Sequence, residues 1–192
     1  SEETLTRARD GLKRIQRIVE DLREFSHLDR EEKTSANLNQ GIRSTVQIAR
    51  AAATRKDVSL VLDLPEIPAV TCNPAKINQV VLNLLTNAIE ASAVGGEVTI
   101  ATRAVNGGED VEIAITDTGA GIDPAIREKI FDPFFTTRPP GQGMGLGLSI
   151  SSTIVREHGG EITFDSTPGR GTRFTVRLRR VARARGANLP VS

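Results

Sequence analysis

The strongest constraint on the fold is the segment NPAKINQVVLNLLTNAIEAS, residues 73–92, which has the pattern of one amphipathic helix. Asn73 and Pro74 supply a capping side chain and a first-turn proline. A broad apolar face follows at helical spacing and comprises Ile77, Val80, Val81, Leu84, Leu85 and Ala88. Because so wide an apolar face needs a second layer to cover it, the chain must pack this helix against a sheet or other helices.

A separate polar stripe runs along the same helix. Asn83, Asn87 and Glu90 are spaced at i, i+4 and i+7, which places them on one line. Asparagine is a poor helix former, so two of them in mid-helix indicate a task beyond solvation. An amide oxygen suits a magnesium ion that keeps waters and takes its charge balance from phosphates. The alternative is an ordinary solvent-facing stripe, although such faces usually carry Lys, Arg and Glu.

The flanking segments predict two more helices and a sheet. One helix is capped by Asn39 and runs to about Arg55, and another starts around Leu146 and ends at His158. Alternating apolar residues predict strands over 58–64, 97–105, 110–117, 160–166 and 171–179. Three helices against one mixed, mostly antiparallel sheet make an α+β fold, a two-layer α/β sandwich.

The first thirty residues predict one long helix that precedes this domain. An apolar stripe at alternating steps of three and four comprises Leu5, Ala8, Leu12, Ile15, Val19 and Leu22. The stripe fits a helix of a four-helix bundle, and a terminal helix lying on its own domain is the alternative. The predicted organisation is this helix over 1–30, a linker over 31–37, a compact domain over 38–180 and a flexible basic tail over 181–192.

Charge, cysteine content and hydropathy exclude several classes of function. The 25 Lys and Arg balance 24 Asp and Glu, so there is no electrostatic footprint for nucleic acid. Cys72 is the single cysteine, which excludes an intramolecular disulfide, and we expect it to be a small buried side chain. No apolar run approaches the roughly 20 residues of a membrane span. We therefore expect a cytoplasmic chain without membrane contact, although the full-length protein could be membrane-anchored.

The stretch GQGMGLGLSI, residues 141–150, has the glycine content of a phosphate-binding turn without the usual spacing. A P-loop requires Lys after its last glycine, and a dinucleotide-binding loop directly follows a strand. Here Gly147 is followed by Leu148 and Ser149. Gly145 and Gly147 instead open the N-terminus of a helix, whose free amides and positive dipole end suit anionic oxygens.

A carboxylate at the end of a strand gives a second candidate contact. Asp117 ends VEIAITD and begins DTGAGI, where Gly119 and Gly121 let the backbone approach a flat ligand closely. Such a carboxylate can accept a hydrogen bond from an exocyclic amine such as that of adenine. A turn aspartate that binds its own backbone is the common alternative.

Four motifs, in order, resemble the N, first G, F and second G boxes of the catalytic domain of sensor histidine kinases: NLLTNAIEA, DTGAGI, FDPFFTT and GMGLGL. TPGRGTRF is similar to the last glycine box of that family, and LREFSHLD to the second helix of its dimerisation domain. The resemblance covers nearly the whole chain. It implies the Bergerat ATP-binding fold shared with gyrase, ATP-dependent chaperones and MutL, with residues 1–30 as the second dimerisation helix and the first helix absent.

The resemblance implies ATP and Mg²⁺ as cofactors. Asn87 matches the metal-coordinating asparagine, and Asp117 matches the aspartate that binds the adenine amine. The residues from Phe131 to Gly143 match the ATP lid and are called the lid segment below. The catalytic residues expected are Asn83, Asn87 and Glu90. The ATP-binding residues expected are Asn83, Asn87, Asp117, Gly119, Gly121, Ile122, Phe131, Thr136, Thr137, Arg138, Gly143, Met144, Gly145, Leu146, Gly147, Leu148 and Thr172, with Asn87 as the metal ligand.

Three of these assignments keep alternatives. Arg138 could reach a terminal phosphate or be a solvated arginine. Phe131, Phe134 and Phe135 are half of the six aromatic residues, and they could be plain core or could latch a moving lid. Glu90 stands where many members of the family carry Lys, and it could hold a magnesium-bound water or lie on the helix surface.

One position distinguishes a kinase from a hydrolase. The gyrase and chaperone relatives activate water with a glutamate at the position matching Asn83, whereas an amide cannot take a proton. The resemblance therefore implies transfer of the γ-phosphate of ATP to a histidine on a dimerisation helix, and onward to a response-regulator aspartate. A response regulator and a second copy, bound through the N-terminal helix bundle, are the implied partners.

The two histidines of this chain lack the acidic follower expected of the acceptor, because His27 precedes Leu28 and His158 precedes Gly159. We therefore expect the chain to bind Mg-ATP without phosphorylating itself. A nucleotide-binding signalling module without kinase activity is the alternative function, and a protein serine kinase of the same fold is a third.

Overall fold

The computed structural model describes residues 33–181. Its α-helices are α1 (Leu38–Arg55), α2 (Pro74–Ala91) and α3 (Gly147–Glu157). Its strands are β1 (Thr34–Ala36), β2 (Ser59–Asp63), β3 (Val70–Cys72), β4 (Glu97–Val105), β5 (Asp110–Asp117), β6 (Glu161–Thr167) and β7 (Gly171–Arg179). Short 3₁₀ helices cover Asn106–Gly108 and Pro124–Lys129.

Five of the strands form one sheet in the order β2–β4–β5–β7–β6. β2 pairs with β4 in parallel, and the other three pairings are antiparallel. Alternate residues of the three central strands, such as Ile100, Ile113 and Val176, are buried in the core that the sheet shares with the helices. The α+β class and the mixed, mostly antiparallel sheet are thus confirmed.

α2 lies at the centre of this core, in contact with α1, α3 and the sheet. All six residues of its predicted apolar face are buried, together with Ile89. The Asn73 side chain accepts a hydrogen bond from the Lys76 N–H at 3.1 Å, so the predicted cap is present. Burial of each large aliphatic side chain contributes roughly 1.5–3 kcal/mol, which makes α2 the main attachment of the helical layer to the sheet.

The cap of α1 differs from the prediction. Asn37 caps the helix in place of Asn39, and the Asn37 side-chain oxygen accepts from the Asn39 N–H at 3.1 Å. The Asn39 side chain instead forms hydrogen bonds with residues distant in sequence. Its Oδ1 accepts from Thr102 Oγ1 at 2.7 Å, and its Nδ2 donates to Pro65 O at 2.6 Å. Both asparagines are good caps by residue type, and the contact with β4 decides between them.

A second difference lies in the predicted linker. β1 falls within residues 31–37 and pairs antiparallel with β3, which the sequence did not predict as a strand. Each of these strands has three residues, which are too few for apolar alternation to be recognised. Cys72 in β3 is fully buried, as expected.

The predicted helix over 1–30 and most of the predicted tail lie outside the described residues. Within residues 33–181, no helix is both long enough and apolar enough to cross a membrane.

α3 ends where the sequence predicts. Gly159 follows the His158 cap with a φ of +67°, the left-handed conformation that favours glycine. The His158 ring joins two helices, because Nε2 accepts from the Asn73 N–H at 3.1 Å and Nδ1 donates to Ile154 O at 2.7 Å. A neutral ring protonated on Nδ1 satisfies both bonds. His158 therefore ties the end of α3 to the start of α2.

We predict that mild acid weakens the fold through His158. Burial lowers the pKa of His158 below its ordinary value of 6.5, the Ile154 carbonyl raises it, and Lys33 and Lys76 lower it further. The folded protein thus favours the neutral ring, and a proton on Nε2 would remove the acceptor for Asn73. His158 in the unfolded chain binds a proton near pH 6.5, whereas His158 in the folded protein binds it only at a lower pH. The contribution of the neutral ring to folding stability is therefore complete above pH 6.5 and is lost as the pH falls towards the pKa of His158 in the folded protein.

Urea denaturation at about pH 7.5 and about pH 5.5 measures this loss of unfolding free energy. His158→Gln keeps a polar side chain that does not titrate, so it serves as the matched control. The wild type should lose more stability than the variant between these pH values, and an equal loss in both proteins would contradict the prediction.

Candidate functional site

A cavity of about 940 Å³ opens between α2, the N-terminus of α3, the lid segment and the ends of β5 and β7. Of the predicted site residues, all line this cavity except Gly119 and Phe131. Apolar surface is added by Leu82, Ile126, Ile130, Phe135 and Phe174. The fold thus brings together segments that are far apart in the sequence.

Asp117 forms one end of the cavity, at the end of β5. It is buried, and its Oδ1 accepts hydrogen bonds from the N–H groups of Gly119 at 2.8 Å and Thr172 at 3.3 Å. Burial raises the pKa of Asp117 above its ordinary value of 3.8, and these two N–H groups lower it. Within residues 33–181 no hydrogen bond reaches Oδ2, so this oxygen is available to a ligand donor.

Close backbone contacts fix the position of Asp117. A Cβ atom on Gly119 would lie 2.2 Å from Ala91 O, and one on Gly171, whose φ is +108°, would lie 1.9 Å from Asp117 O. A Cβ atom on Gly121, whose φ is +74°, would lie 2.4 Å from Thr167 O. Glycine is therefore required where β5, β7 and the following turn meet.

Ser166 is a residue beside this end that the sequence did not single out. Its Oγ accepts from the Ile122 N–H at 2.8 Å, donates to Gly171 O at 3.1 Å and lies 2.9 Å from Thr172 Oγ1. Because Ser166 has one hydroxyl proton, the bond to Gly171 makes the Thr172 hydroxyl the donor to Ser166. Arg127 Nη2 donates to Ser166 O at 2.7 Å and closes the network.

Asn83 connects α2 to α3. Its Nδ2 donates to Gly147 O at 3.2 Å and to Ser151 Oγ at 3.3 Å, and its Oδ1 accepts no hydrogen bond from the part of the chain that the structure describes. The predicted polar stripe therefore begins as a contact between helices at the edge of the cavity. The side chain at this position of the stripe is the Asn83 amide, which is not an acidic proton acceptor.

Asn87 and Glu90 lie one and two turns further along α2 and meet the lid segment. Arg138 Nη2 donates to Asn87 Oδ1 at 2.7 Å and forms an ion pair with Glu90. The amide and carboxylate oxygens thus converge on one cation. Among the described residues no group of three His, Cys, Asp or Glu could hold a metal, so a magnesium ion here would need oxygens such as these together with phosphate and water.

Lys56 is a second residue that sequence reasoning missed. Its ammonium group donates to the carbonyl oxygens of Ile89, at 3.2 Å, and of Glu90. A cation at the last carbonyls of a helix is favourable because that end carries partial negative charge. The contact fixes the backbone at Glu90, and only the packing of α1 against α2 brings Lys56 there.

The three phenylalanines of FDPFFTT have separate positions. Phe131 packs with Phe164 and Phe174, with ring centroids 6.0 and 6.4 Å apart, and is therefore part of the core. Phe135 lines the cavity. Phe134 is 66% exposed with a φ of +66°, and its N–H donates to Gly145 O at 3.0 Å.

The N-terminus of α3 opens onto the cavity. Leu146 precedes the helix and offers no capping side chain, so the first-turn amides lack a local partner of that kind. Gly147 and Leu148 line the cavity at this point. Gly145, with a φ of +70°, forms the turn before them, where a built Cβ would lie 2.3 Å from Phe135 O.

The sequence also matches a known protein family. Residues 72–182 match the family described as "Histidine kinase-, DNA gyrase B-, and HSP90-like ATPase". The chain belongs to this family. Its fold is the Bergerat ATPase fold that the four motifs imply, and the matched region contains α2, the lid segment and α3.

Curated members of the family with similar sequences are sensor kinases. The signal transduction histidine-protein kinase AtoS of Escherichia coli (strain K12) is 34% identical over 165 residues, which are 85% of this chain and 27% of AtoS. Sporulation kinase E of Bacillus subtilis (strain 168) is 35% identical over 171 residues, which are 87% of this chain and 22% of that kinase. The chain thus spans about a quarter of the length of these relatives.

Solved structures give the same relationship. The catalytic domain of the histidine kinase ThkA matches with a TM-score of 0.70 at 31% identity, over 78% of this chain and 97% of that domain. ThkA in complex with the response regulator protein TrrA matches with a TM-score of 0.72 at 27% identity, over 88% of this chain and 49% of the other. The chain is therefore homologous to histidine kinase catalytic domains.

We predict that Gly121 is required for stability because of the backbone it faces. Gly121→Ala must adopt a positive φ and also place Cβ against Thr167 O, so we expect a loss of about 2–4 kcal/mol. Gly169→Ala is the matched control, because Gly169 has a φ of +76° but open space around a built Cβ, and its loss should be about 1 kcal/mol. Urea denaturation measures both losses, and equal values would refute the role of the contact.

Proposed function

We propose that this chain is the catalytic part of a two-component sensor histidine kinase and that its cavity binds ATP with Mg²⁺. The observation that supports this most is the presence of two complementary ends in one cavity. Asp117 offers Oδ2 at one end, and at the other the oxygens of Asn87 and Glu90 converge on a cation. The exocyclic amine of a nucleotide base needs a hydrogen-bond acceptor such as Oδ2 of Asp117. A metal bound to a triphosphate fits the converging oxygens of Asn87 and Glu90.

At the adenine end, Asp117 accepts a hydrogen bond from the exocyclic amine through Oδ2. The N–H groups of Gly119 and Thr172 hold Oδ1 and so orient the carboxylate. Gly121 and Ile122 provide backbone and apolar surface beside the ring. A buried charged acceptor favours a ligand that carries an amine at this position.

At the phosphate end, Asn87 is the magnesium ligand and Glu90 lies beside it. Magnesium, when bound with the triphosphate, neutralises phosphate charge. The first amides of α3, at Gly147 and Leu148, meet the anionic oxygens, and the positive end of the helix dipole adds to the attraction. Thr136 and Thr137 line the cavity as further hydroxyl donors.

The chemistry proposed is phosphoryl transfer, because Asn83 occupies the position where a hydrolase needs a base. Its amide donates to α3 and cannot accept a proton, so attack by water is not assisted there. The γ-phosphoryl group moves from ATP to a histidine nitrogen on a dimerisation helix, and ADP leaves. The phosphoryl group then passes to an aspartate oxygen of a response regulator.

The proposed partners follow from the same assignment. Residues 1–30 are proposed as the second helix of a dimerisation bundle, through which two copies associate, and residues 31–37 connect that helix to the catalytic domain. A response regulator is the proposed downstream partner. The complex of the homologous ThkA with TrrA supports this proposal.

We predict that Asp117→Asn weakens ATP binding by about ten- to several-hundred-fold. The substitution removes a charged acceptor whose hydrogen bond contributes ~1.5–3 kcal/mol, and it presents amide donors to the adenine amine. Isothermal titration calorimetry of ATP with magnesium measures the dissociation constants. Asp110→Asn is the matched control, because Asp110 is also buried, lies at the other end of β5 and pairs with Arg179. Unchanged affinity in the Asp117 variant would reject the adenine assignment.

We also predict that the isolated chain does not phosphorylate itself, since neither His27 nor His158 is followed by an acidic residue. The His158 ring is moreover held between two backbone groups. Incubation with γ-labelled ATP should leave no acid-labile phosphate on the chain. A labelled His27 or His158, located by peptide mapping, would disprove this expectation.

A further inference from the structure

Arg138 connects the middle of the lid segment to α2. Its side chain is 34% exposed and extends from the lid to the polar stripe, where it binds Asn87 Oδ1 and pairs with Glu90. Three other hydrogen bonds stay within the lid segment: the Arg138 N–H donates to Thr136 Oγ1 at 3.1 Å, the Gln142 N–H to Pro139 O at 3.1 Å, and the Phe135 N–H to Asp132 O at 3.2 Å. The Arg138 side chain therefore fastens a locally organised loop to the helix beneath it.

Gly143, at the end of the lid segment, leaves the space that this side chain uses. A Cβ atom built on Gly143 would lie 3.0 Å from both Cδ and Nη1 of Arg138. That separation is shorter than ordinary contacts between such atoms. The two arms of the lid thus fit together around the extended Arg138 side chain.

The guanidinium of Arg138 uses the same oxygens that the proposed function gives to the metal. If a magnesium ion were bound to Asn87 Oδ1 while Arg138 stayed in place, two cations would lie within a few ångströms of each other. Their repulsion makes joint occupation unfavourable at a partly exposed site. Glu90 is the carboxylate whose charge attracts whichever cation is present.

We propose that Arg138 and Glu90 form a latch that holds the lid on α2 in the nucleotide-free protein and that magnesium bound with nucleotide displaces Arg138 from both Asn87 and Glu90. The identity of the competing cation rests on the proposed function, whereas the latch itself concerns the nucleotide-free chain. The displaced guanidinium becomes free for the phosphates. Nucleotide without magnesium leaves the latch closed, so part of the magnesium dependence of binding comes from releasing the lid.

The first test measures the latch without nucleotide. Hydrogen–deuterium exchange of the lid segment is compared in the wild type, Glu90→Gln, Arg138→Gln and the double variant. A partly exposed ion pair predicts about two- to fivefold faster exchange in each single variant and no further increase in the double variant. Raising ionic strength to about 1 M should speed exchange in the wild type and have little effect in the variants.

Arg103→Gln and Asp63→Asn are the matched controls, because Arg103 and Asp63 form an exposed ion pair at 3.8 Å that lies outside the cavity lining. They remove the same charges, and lid exchange should stay at the wild-type rate. Wild-type lid exchange in both Glu90→Gln and Arg138→Gln would overturn the latch. Faster exchange in the controls would show a general effect of charge and would also overturn it.

The second test measures the competition with ADP as the probe, first with magnesium and then with a chelator. The coupling between Glu90 and Arg138, obtained from the four lid-exchange rates, should disappear in saturating Mg-ADP and persist in ADP without magnesium. Coupling that survives saturating Mg-ADP would refute the displacement of Arg138 while leaving the nucleotide site intact. No calorimetric binding of ADP by any of the four proteins would refute the proposed function and the competing cation together, and the first test would still decide the latch.

Discussion

The site depends on how α2 is buried. Its apolar face is held between the sheet, α1 and α3, so α2 cannot rotate without exposing fully buried side chains such as Leu84 and Leu85. The polar stripe lies on another line of the same helix and therefore emerges at the edge of the core. Asn83 meets α3 there, and Asn87 and Glu90 meet the lid segment. The packing of hydrocarbon side chains thus fixes the positions of the oxygens proposed to bind the metal.

Desolvation provides the second constraint, at Asp117. A buried carboxylate is costly unless hydrogen bonds compensate it, and two backbone N–H groups supply that compensation to Oδ1. The close approach of Gly119 and Gly171 brings these donors within reach. The second oxygen is not compensated in this way within the described residues. An amine of the proposed ligand would donate a hydrogen bond to this second oxygen. The missing donor is thus the physical reason why the site would favour such a ligand.

Most regular elements could be predicted from the sequence because each has a local pattern of sufficient length. α2, α3 and the strands β4 to β7 have clear apolar periodicity bounded by caps or glycine turns, and the structure confirms them. β1 and β3 could not be predicted, since three residues carry no periodicity and each strand exists through its partner. The choice of Asn37 over Asn39 as a cap likewise depends on Thr102, a residue of β4.

The candidate site divides in the same manner. The order of amino acids sets which chemical groups are present and their spacing along each element, as in the stripe of Asn83, Asn87 and Glu90. Their partners depend on the packing of the whole fold: Phe131 lies in an aromatic core cluster, Ser166 joins the network at Thr172, and Arg138 binds α2 across 51 positions of sequence. Such partners are set by how strands and loops close around α2. Local patterns encode periodicity and caps, whereas contacts between distant residues exist only after the core has packed.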